Sequence, residues 1–585
     1  MRRFIVGLLA TVGAITLLCI AAVVVFLVRG PLAAKTLPDS MVLSLDLRRL
    51  PPETVSSGLL GGLWGESRDM VDTLHALWRA ADDPHVVGLY VEIGDEDGGL
   101  ARVQELREAI QRFRSKGKFA IGFAESLGSG GDHFADYYLA AALDRIWLQP
   151  SGGFGVAGLA VETPFLKDGL DRLGIRIEGG KRYEYKSAPD TFTQADMTAP
   201  ARENLQQLID GLYGQFIEDV SHDRKISPAK LRQLIDSAPF DSDRARAEGL
   251  VDKVGYRADA MDDVRQQAGS THDLVGLSDY ADGRHQPDTV RDVVALVRVS
   301  GAIVSGTNGN DPLGDDLKAA SDDIVDALDA ATQSKDVKAI VLRIDSPGGT
   351  YPAADAIADG VGRARAAGKP VIVSMGDVAA SGGYLAAVRA DVIVAEPTTI
   401  TGSIGVFGIW PVVTDLLTKL GIEVDRLRVG ANAGMYSSFH VPTPAQQAAI
   451  GRELDAVYAD FTRQVAEARE LDSARLDSAA RGRVFTGVEA KRAGLVDELG
   501  GLDVALRAAQ TKAGIDTSKP IELRSFPAES STLQQIANRL LRLADVSVTG
   551  PDVRVPREVR DLLARFGLAA RPGIVRMPPL PPLWH

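Results

Sequence analysis

The chain carries an internal duplication, and this limits its architecture more than any other feature. The segment VVGLYVEI from Val86 resembles VKAIVLRI from Val337, an offset of 251 (337 − 86). The segment RSKGKFAIGFA around Gly117 resembles RAAGKPVIVSM around Gly368 at the same offset (368 − 117). Farther on, LDRIWLQP around Asp144 matches ADVIVAEP around Asp391, and LDRLGI around Gly174 matches LTKLGI around Gly421, both 247 apart (391 − 144; 421 − 174). AEGLVDKVGY at Gly249 and AGLVDELGG at Gly494 close the series. Conserved order and near-constant spacing mean two copies of one folded unit.

Each copy alternates helical and strand patterns. Met70, Leu74 and Leu77 recur at helical spacing before the run Val86–Ile93; Ile324, Val325 and Leu328 do so before Val337–Ile344. The strand segments are nearly continuous apolar runs, as in strands covered on both faces of a largely parallel α/β sheet. The expected organisation is a first repeat over 41–265, a polar linker over 266–291, a second repeat over 292–513, and a tail over 520–585 to which no chemistry is assigned. At 585 residues the chain is too long for one core, in keeping with two units.

The N-terminus reads as a membrane anchor. Residues 1–4 include Arg2 and Arg3, and 5–28 is an uncharged, mainly apolar run. As a helix that run spans about 36 Å, enough for a bilayer. It is longer than the apolar part of a cleaved signal, and the sequence after it, Arg29 to Ala34, is a poor cleavage site. One span places residues 1–4 in the cytoplasm and the body outside it, although Arg29 and Lys35 weaken the charge asymmetry.

Composition excludes several chemistries. A net charge of −13 without a basic run argues against nucleic acid. Cys19 is the one cysteine, so internal disulfides, thiolate metal sites and Cys–His catalysis are out. The eight histidines are scattered without metal-ligand spacing, so no metal and no cofactor are expected. Gly153 to Gly158 matches the G-x-G-x-x-G fingerprint, but a lone match is weak, and it aligns with the loop holding Gly402 and Gly405.

Chemistry concentrates in three glycine-containing segments of the second copy: Asp345 to Gly349, Ala379 to Tyr384, and Thr401 to Gly405. All three follow strands, where α/β folds place binding loops. Glycine lets backbone N–H groups approach a ligand and stabilise an oxyanion. The first copy lacks these features: Ser381 aligns with Phe134 and Ser403 with Val156 at the 247 offset. It carries Tyr185-Lys186-Ser187-Ala188 where the second copy has Met435-Tyr436-Ser437-Ser438 and no lysine. The copies are complementary, not redundant.

Taken together, Ala-Ser-Gly-Gly-Tyr, Thr-Gly-Ser-Ile-Gly, Ser-Pro-Gly-Gly and Tyr-Lys-Ser-Ala resemble the long, two-domain form of the signal peptide peptidase A family, also called protease IV. The resemblance runs from about residue 5 to 513. It implies tandem α/β domains similar to the Clp protease subunit and crotonase, behind one transmembrane helix. It implies a Ser/Lys serine endopeptidase in the extracytoplasmic space of bacteria, acting on signal peptide remnants and other apolar peptides, with lipid contact through the anchor and a homotetrameric ring. Carried over by motif, Ser381 is the nucleophile, Lys186 the general base and Ser403 the serine that orients it. Gly348 and Gly349 correspond to the oxyanion segment, and the Gly382 N–H is a further expected oxyanion donor. Asp345 stands where a neutral residue is also common in the family, a departure that leaves the dyad untouched.

A serine hydroxyl needs an adjacent base, and lysine serves only when neutral, which burial favours. A carboxylate beside the amine would spoil the base, so none is expected in contact with Lys186. Two other readings compete. A crotonase-type acyl-CoA enzyme would need a carboxylate acid/base pair and a cytoplasmic site. A catalytically silent peptide-binding scaffold would not need both Ser381 and Lys186.

Overall fold

The computed structural model describes residues 37–54, 68–94, 98–128, 134–269, 273–283, 292–308 and 318–527. The expected cytoplasmic end and anchor, 1–28, lie outside these residues. Among the described residues no helix is long and apolar enough to cross a membrane.

Each repeat is built on its own sheet. The first sheet has six parallel strands in the order Lys253–Val254, Arg145–Leu148, Phe119–Ala124, Val86–Ile93, Met41–Leu47, Asp273–Gly276. The second is centred on Val293–Ser300, Val337–Ser346 and Val371–Ala380, parallel to one another. Val371–Ala380 pairs over its first half with Val392–Ala395 and over its second half with Ile400–Gly402. One central strand thus feeds two neighbours, and the second leads directly into Ser403. Ile400–Gly402 in turn pairs antiparallel with the edge strand Val484–Thr486.

Burial follows the pleat. Val293, Ala295 and Val297 face one core with Ile324, Leu328, Ile357 and Val361 from the covering helices. Val294 and Leu296 face the other way, into a core shared with Leu106 and Ile110 of the first repeat and Leu502 and Ala505. The repeats therefore share one hydrophobic core.

The duplication is visible bond by bond. The buried Tyr137 hydroxyl donates to Leu250 O and the buried Tyr384 hydroxyl to Leu495 O, each at 3.0 Å. Asp144 accepts from Ala120 N at 2.8 Å and Asp391 from Val371 N at 2.9 Å. These bonds close corresponding strand ends in both copies.

Two boundaries are corrected. The linker expected over 266–291 contains Asp273–Gly276, which pairs with Met41–Leu47, and the helix Leu277–Gly283, which buries Leu277 and Tyr280. The tail expected over 520–585 begins with Glu522–Phe526, an edge strand parallel to Val293–Ser300. Both are short strands with a single neighbour and polar residues, so they lack the continuous apolar run of a central strand.

The seam between repeats holds a buried ion network. Arg343 from the second sheet donates to both oxygens of Glu53 at 2.6 and 3.1 Å and to both of Glu105 at 2.7 Å, and also to the Ser374 hydroxyl at 2.9 Å. Glu105 also accepts from Leu502 N at 2.8 Å. Glu396 lies close by, fully buried, and neither of its oxygens has a hydrogen-bond partner among the described residues. Burial, together with the charges of Glu108, Glu105 and Asp503, pushes its carboxyl well above the usual range.

Candidate active site

The strand Val371–Ala380 ends at Ser381, which caps the short helix Gly382–Ala387 with φ 56° and ψ −115°. That backbone is rare for a residue with a Cβ and costs on the order of 1–3 kcal/mol, so the surroundings must impose it. They do: Ser381 N donates to Gly402 O at 2.8 Å, and Leu385 N donates back to Ser381 O at 2.9 Å. A tight strand–turn–helix thus presents the Ser381 hydroxyl without the G-x-S-x-G sequence of an α/β-hydrolase. In the first copy the aligned Phe134 caps the equivalent helix Ala135–Ala141 and packs edge-on against Phe216 at 4.7 Å, so that position is core.

Lys186 reaches the second repeat along a ribbon shared by both. The first-repeat strand Arg176–Arg182 pairs antiparallel with the second-repeat strand Val406–Val412, Arg182 opposite Val406. The chain then turns, with Lys186 N donating to Tyr183 O at 3.2 Å, and the lysine side chain enters the interior. Its Nζ lies 2.9 Å from Ser381 Oγ, 2.9 Å from Ser403 Oγ and 2.9 Å from Ser403 O. Lys186 and Ser381 are each 3% exposed and Ser403 6%.

This geometry suits a neutral amine. The Ser403 carbonyl can only accept, so it takes one N–H, and the Ser403 hydroxyl can take the second. The amine lone pair is then free to accept the Ser381 O–H. Burial alone pushes the Lys186 amine down to about 7. Lys181 and Arg182 do not contribute, because they pair with Asp190 and Asp455. Among the described residues no carboxylate forms an ion pair with Lys186.

The glycine segments converge on Ser381. Gly348 has φ 103°, and a Cβ on it would sit 2.7 Å from Gly382 N and 3.0 Å from Ser381 Cβ, so only glycine allows this approach. Gly348 N already donates to the Ser346 hydroxyl at 3.1 Å. Gly349 N and Gly382 N have no backbone acceptor among the described residues, and a Cβ on Gly382 would sit 3.0 Å from Gly349 N. The free donors are therefore Gly349 and Gly382, with Gly348 serving the turn. Asp345 accepts from Val378 N at 3.0 Å, and burial beside Asp377 and Glu53 pushes its carboxyl up to about 7.

Residues 481–484, unremarkable in sequence, complete the site. Gly482, with φ 87°, lies flat against Lys186, and a Cβ there would come within 2.6 Å of the lysine Cα. Ser403 N donates to Arg483 O at 2.7 Å, and Gly482 N to Ile404 O at 2.8 Å. Only the glycine content of Arg481-Gly482-Arg483 hinted at this role. The Gly153-Phe154 part of the G-x-G-x-x-G match is a two-residue strand paired with Phe240–Asp241, and Val156 is buried.

The arrangement is a buried hydroxyl and a buried, depressed amine in hydrogen-bond contact, with backbone donors nearby and, among the described residues, no carboxylate ion-paired with the amine. The model of peptidase family S49 matches residues 126–271 and 363–516, one stretch in each repeat. Protease 4 of Salmonella typhi is 33% identical over 502 residues, covering 83% of this chain and 79% of its own. Protease 4 of Haemophilus influenzae (strain ATCC 51907 / DSM 11121 / KW20 / Rd) is 31% identical over 457 residues, covering 75% and 72%. The chloroplastic serine protease SPPA of Arabidopsis thaliana is 29% identical over 502 residues, covering 84% and 72%. The chain belongs to peptidase family S49 and is a serine peptidase.

Proposed function

We propose that the chain is a membrane-anchored endopeptidase in which Ser381 is the nucleophile, Lys186 the general base and Ser403 the residue that orients the amine. The observation that carries this reading is the 2.9 Å contact between Lys186 Nζ and Ser381 Oγ in a site where burial favours the neutral amine. Ser381 Oγ attacks the scissile carbonyl carbon as its proton passes to Lys186 Nζ. The developing oxyanion takes hydrogen bonds from Gly349 N and Gly382 N. Lys186 then returns the proton to the leaving amine nitrogen as the C–N bond breaks, leaving an ester on Ser381. Water, deprotonated by Lys186, attacks that ester, and the serine is regenerated with release of the carboxylate product.

The substrates are signal peptide remnants and other apolar peptides bound in extended form, a mode in which strand and loop edges pair with a peptide backbone. The span 5–28 holds the protein in a bacterial inner membrane, with 1–4 in the cytoplasm and the catalytic body on the periplasmic side. Each repeat is a Clp-protease/crotonase-like unit, and copies assemble as a homotetramer. Supporting the assembly, the segment after the shared ribbon leaves Leu420, Ile422, Leu427 and Val429 exposed, with Leu173 nearby in sequence register. An acyl-CoA reading is disfavoured because no described carboxylate forms an ion pair with the amine, and a silent scaffold by the strained Ser381 backbone.

A serine-directed fluorophosphonate is expected to add one covalent label, mapped by mass spectrometry to Ser381. Labelling of Lys186→Ala is expected to be slower by at least about 100-fold, since general-base help is worth 10²–10⁴. A label on another serine, or an unchanged rate in Lys186→Ala, overturns the assignment.

A further inference from the structure

The strand Val484–Thr486 is the open edge of the second sheet, so Val484 offers a backbone N–H and C=O with no strand beside them. Both are taken by one side chain of the first repeat. Asn204, on the helix Ala199–Arg224 and 4% exposed, donates Nδ2–H to Val484 O at 2.8 Å and accepts Val484 N–H at Oδ1, also at 2.8 Å. A carboxamide carries one donor and one acceptor with the spacing of a peptide group, so it stands in for a missing strand.

What Val484 is joined to gives this contact its meaning. Val484 lies opposite Gly402, whose carbonyl holds Ser381 N. The preceding residues seat the other two site side chains, Arg483 O holding Ser403 N and Gly482 packing on Lys186. The same short segment is gripped elsewhere by ion pairs, Arg481 with Glu184 and Arg483 with Glu203, but these are half-exposed and weak. The Asn204 side chain is itself buried and makes two hydrogen bonds to a part-buried backbone, and leaving such groups without partners is costly.

We infer that Asn204 is a positioning residue for the Ser/Lys pair: by clamping Val484 it holds residues 481–484 against Lys186 and Ser403, and so keeps the amine buried on the serine. This rests on the assignment of Lys186 as base. Without the clamp the edge moves away, water reaches the amine, and the protonated form is stabilised.

The test uses the full-length protein with Asn204→Ala, Asn204→Asp and, as control, Gln206→Ala on the exposed side of the same helix. Asn204→Ala is expected to lower kcat about 100-fold, the scale of a 1 Å misplacement, with KM within about twofold. Its acid limb in kcat against pH is expected to shift to higher pH by about one unit. Asn204→Asp, isosteric but with an acceptor facing Val484 O, is expected to shift the limb the same way, and it carries the test if the alanine variant does not fold. Gln206→Ala should match wild type in rate and limb. If both Asn204 variants keep the wild-type limb, whatever their thermal stability, the positioning role is overturned. Lys186→Ala is measured beside them. If it retains activity, the base assignment fails; if it is inactive while the Asn204 variants are normal, only the positioning role fails.

Discussion

Ser381→Ala and Lys186→Ala are each expected to lower kcat by about 10⁴- to 10⁶-fold on a fluorogenic apolar peptide, and the double variant is expected to be no worse than the weaker single. Residues that act as one unit are non-additive: once the nucleophile is gone, the base has nothing to deprotonate. The structure makes the alternatives costly. Ser381 is held at a strained φ by bonds to Gly402 and Leu385 that do not involve its side chain, so alanine should keep the fold. Lys186→Ala leaves a buried space beside Ser403 and removes an amine that burial alone holds near neutrality. Circular dichroism and thermal unfolding near wild type would show that the loss is chemical. Additive losses would mean that the two residues act in separate steps.

Arg343→Met is expected to cost about 3–5 kcal/mol, the scale for removing one partner from a buried ion pair. The guanidinium is 1% exposed and is the counter-charge for Glu53 and Glu105, both buried and both from the first repeat. Without it two carboxylates face each other beside the buried Glu396, whose carboxyl burial already pushes up. Burial, opposed by Arg343, pushes the Glu105 carboxyl up, so its removal drives protonation or separation of the repeats. Lys186 comes from one repeat and Ser381 from the other, so separation would also break their 2.9 Å contact. Arg343→Met is therefore expected to lower the urea midpoint and to lose activity at lower urea than wild type. Adding Glu53→Gln and Glu105→Gln should restore part of the stability, because the penalty lies in the unpaired charges. A single-variant midpoint equal to wild type would show that the network does not hold the seam.

How much of this could be read from sequence depends on the range over which each feature is encoded. The duplication and central strands were legible because Val86–Ile93 and Val337–Ile344 are continuous apolar runs with repeated spacing. Ser381, Ser403 and the glycine turns were legible because tight turns leave local glycine patterns. Lys186 was singled out only through its motif and its absence from the second copy; by composition it is one lysine among many. The edge strands Asp273–Gly276 and Glu522–Phe526 were missed because one-sided pairing does not require an apolar run. Asn204, Gly482 and the Arg343 network were missed for a different reason. Each acts through a partner 238 to 296 positions away in its own bond or contact (343 − 105 = 238 and 343 − 53 = 290 for Arg343, 484 − 204 = 280 for Asn204, 482 − 186 = 296 for Gly482), and no local pattern records such a pairing.

If a neutral lysine from one repeat activates a serine from the other, kcat/KM of the wild-type protein against pH from 5 to 10 shows it most directly. Lys186 must be unprotonated to take the Ser381 proton, so activity is lost as pH falls through the amine pKa. A single ionisation is expected near the value of about 7 set by burial, with a tenfold fall per unit below it and a plateau above. A limb near 10.4, where an ordinary exposed lysine titrates, or a profile flat across the range, would contradict it.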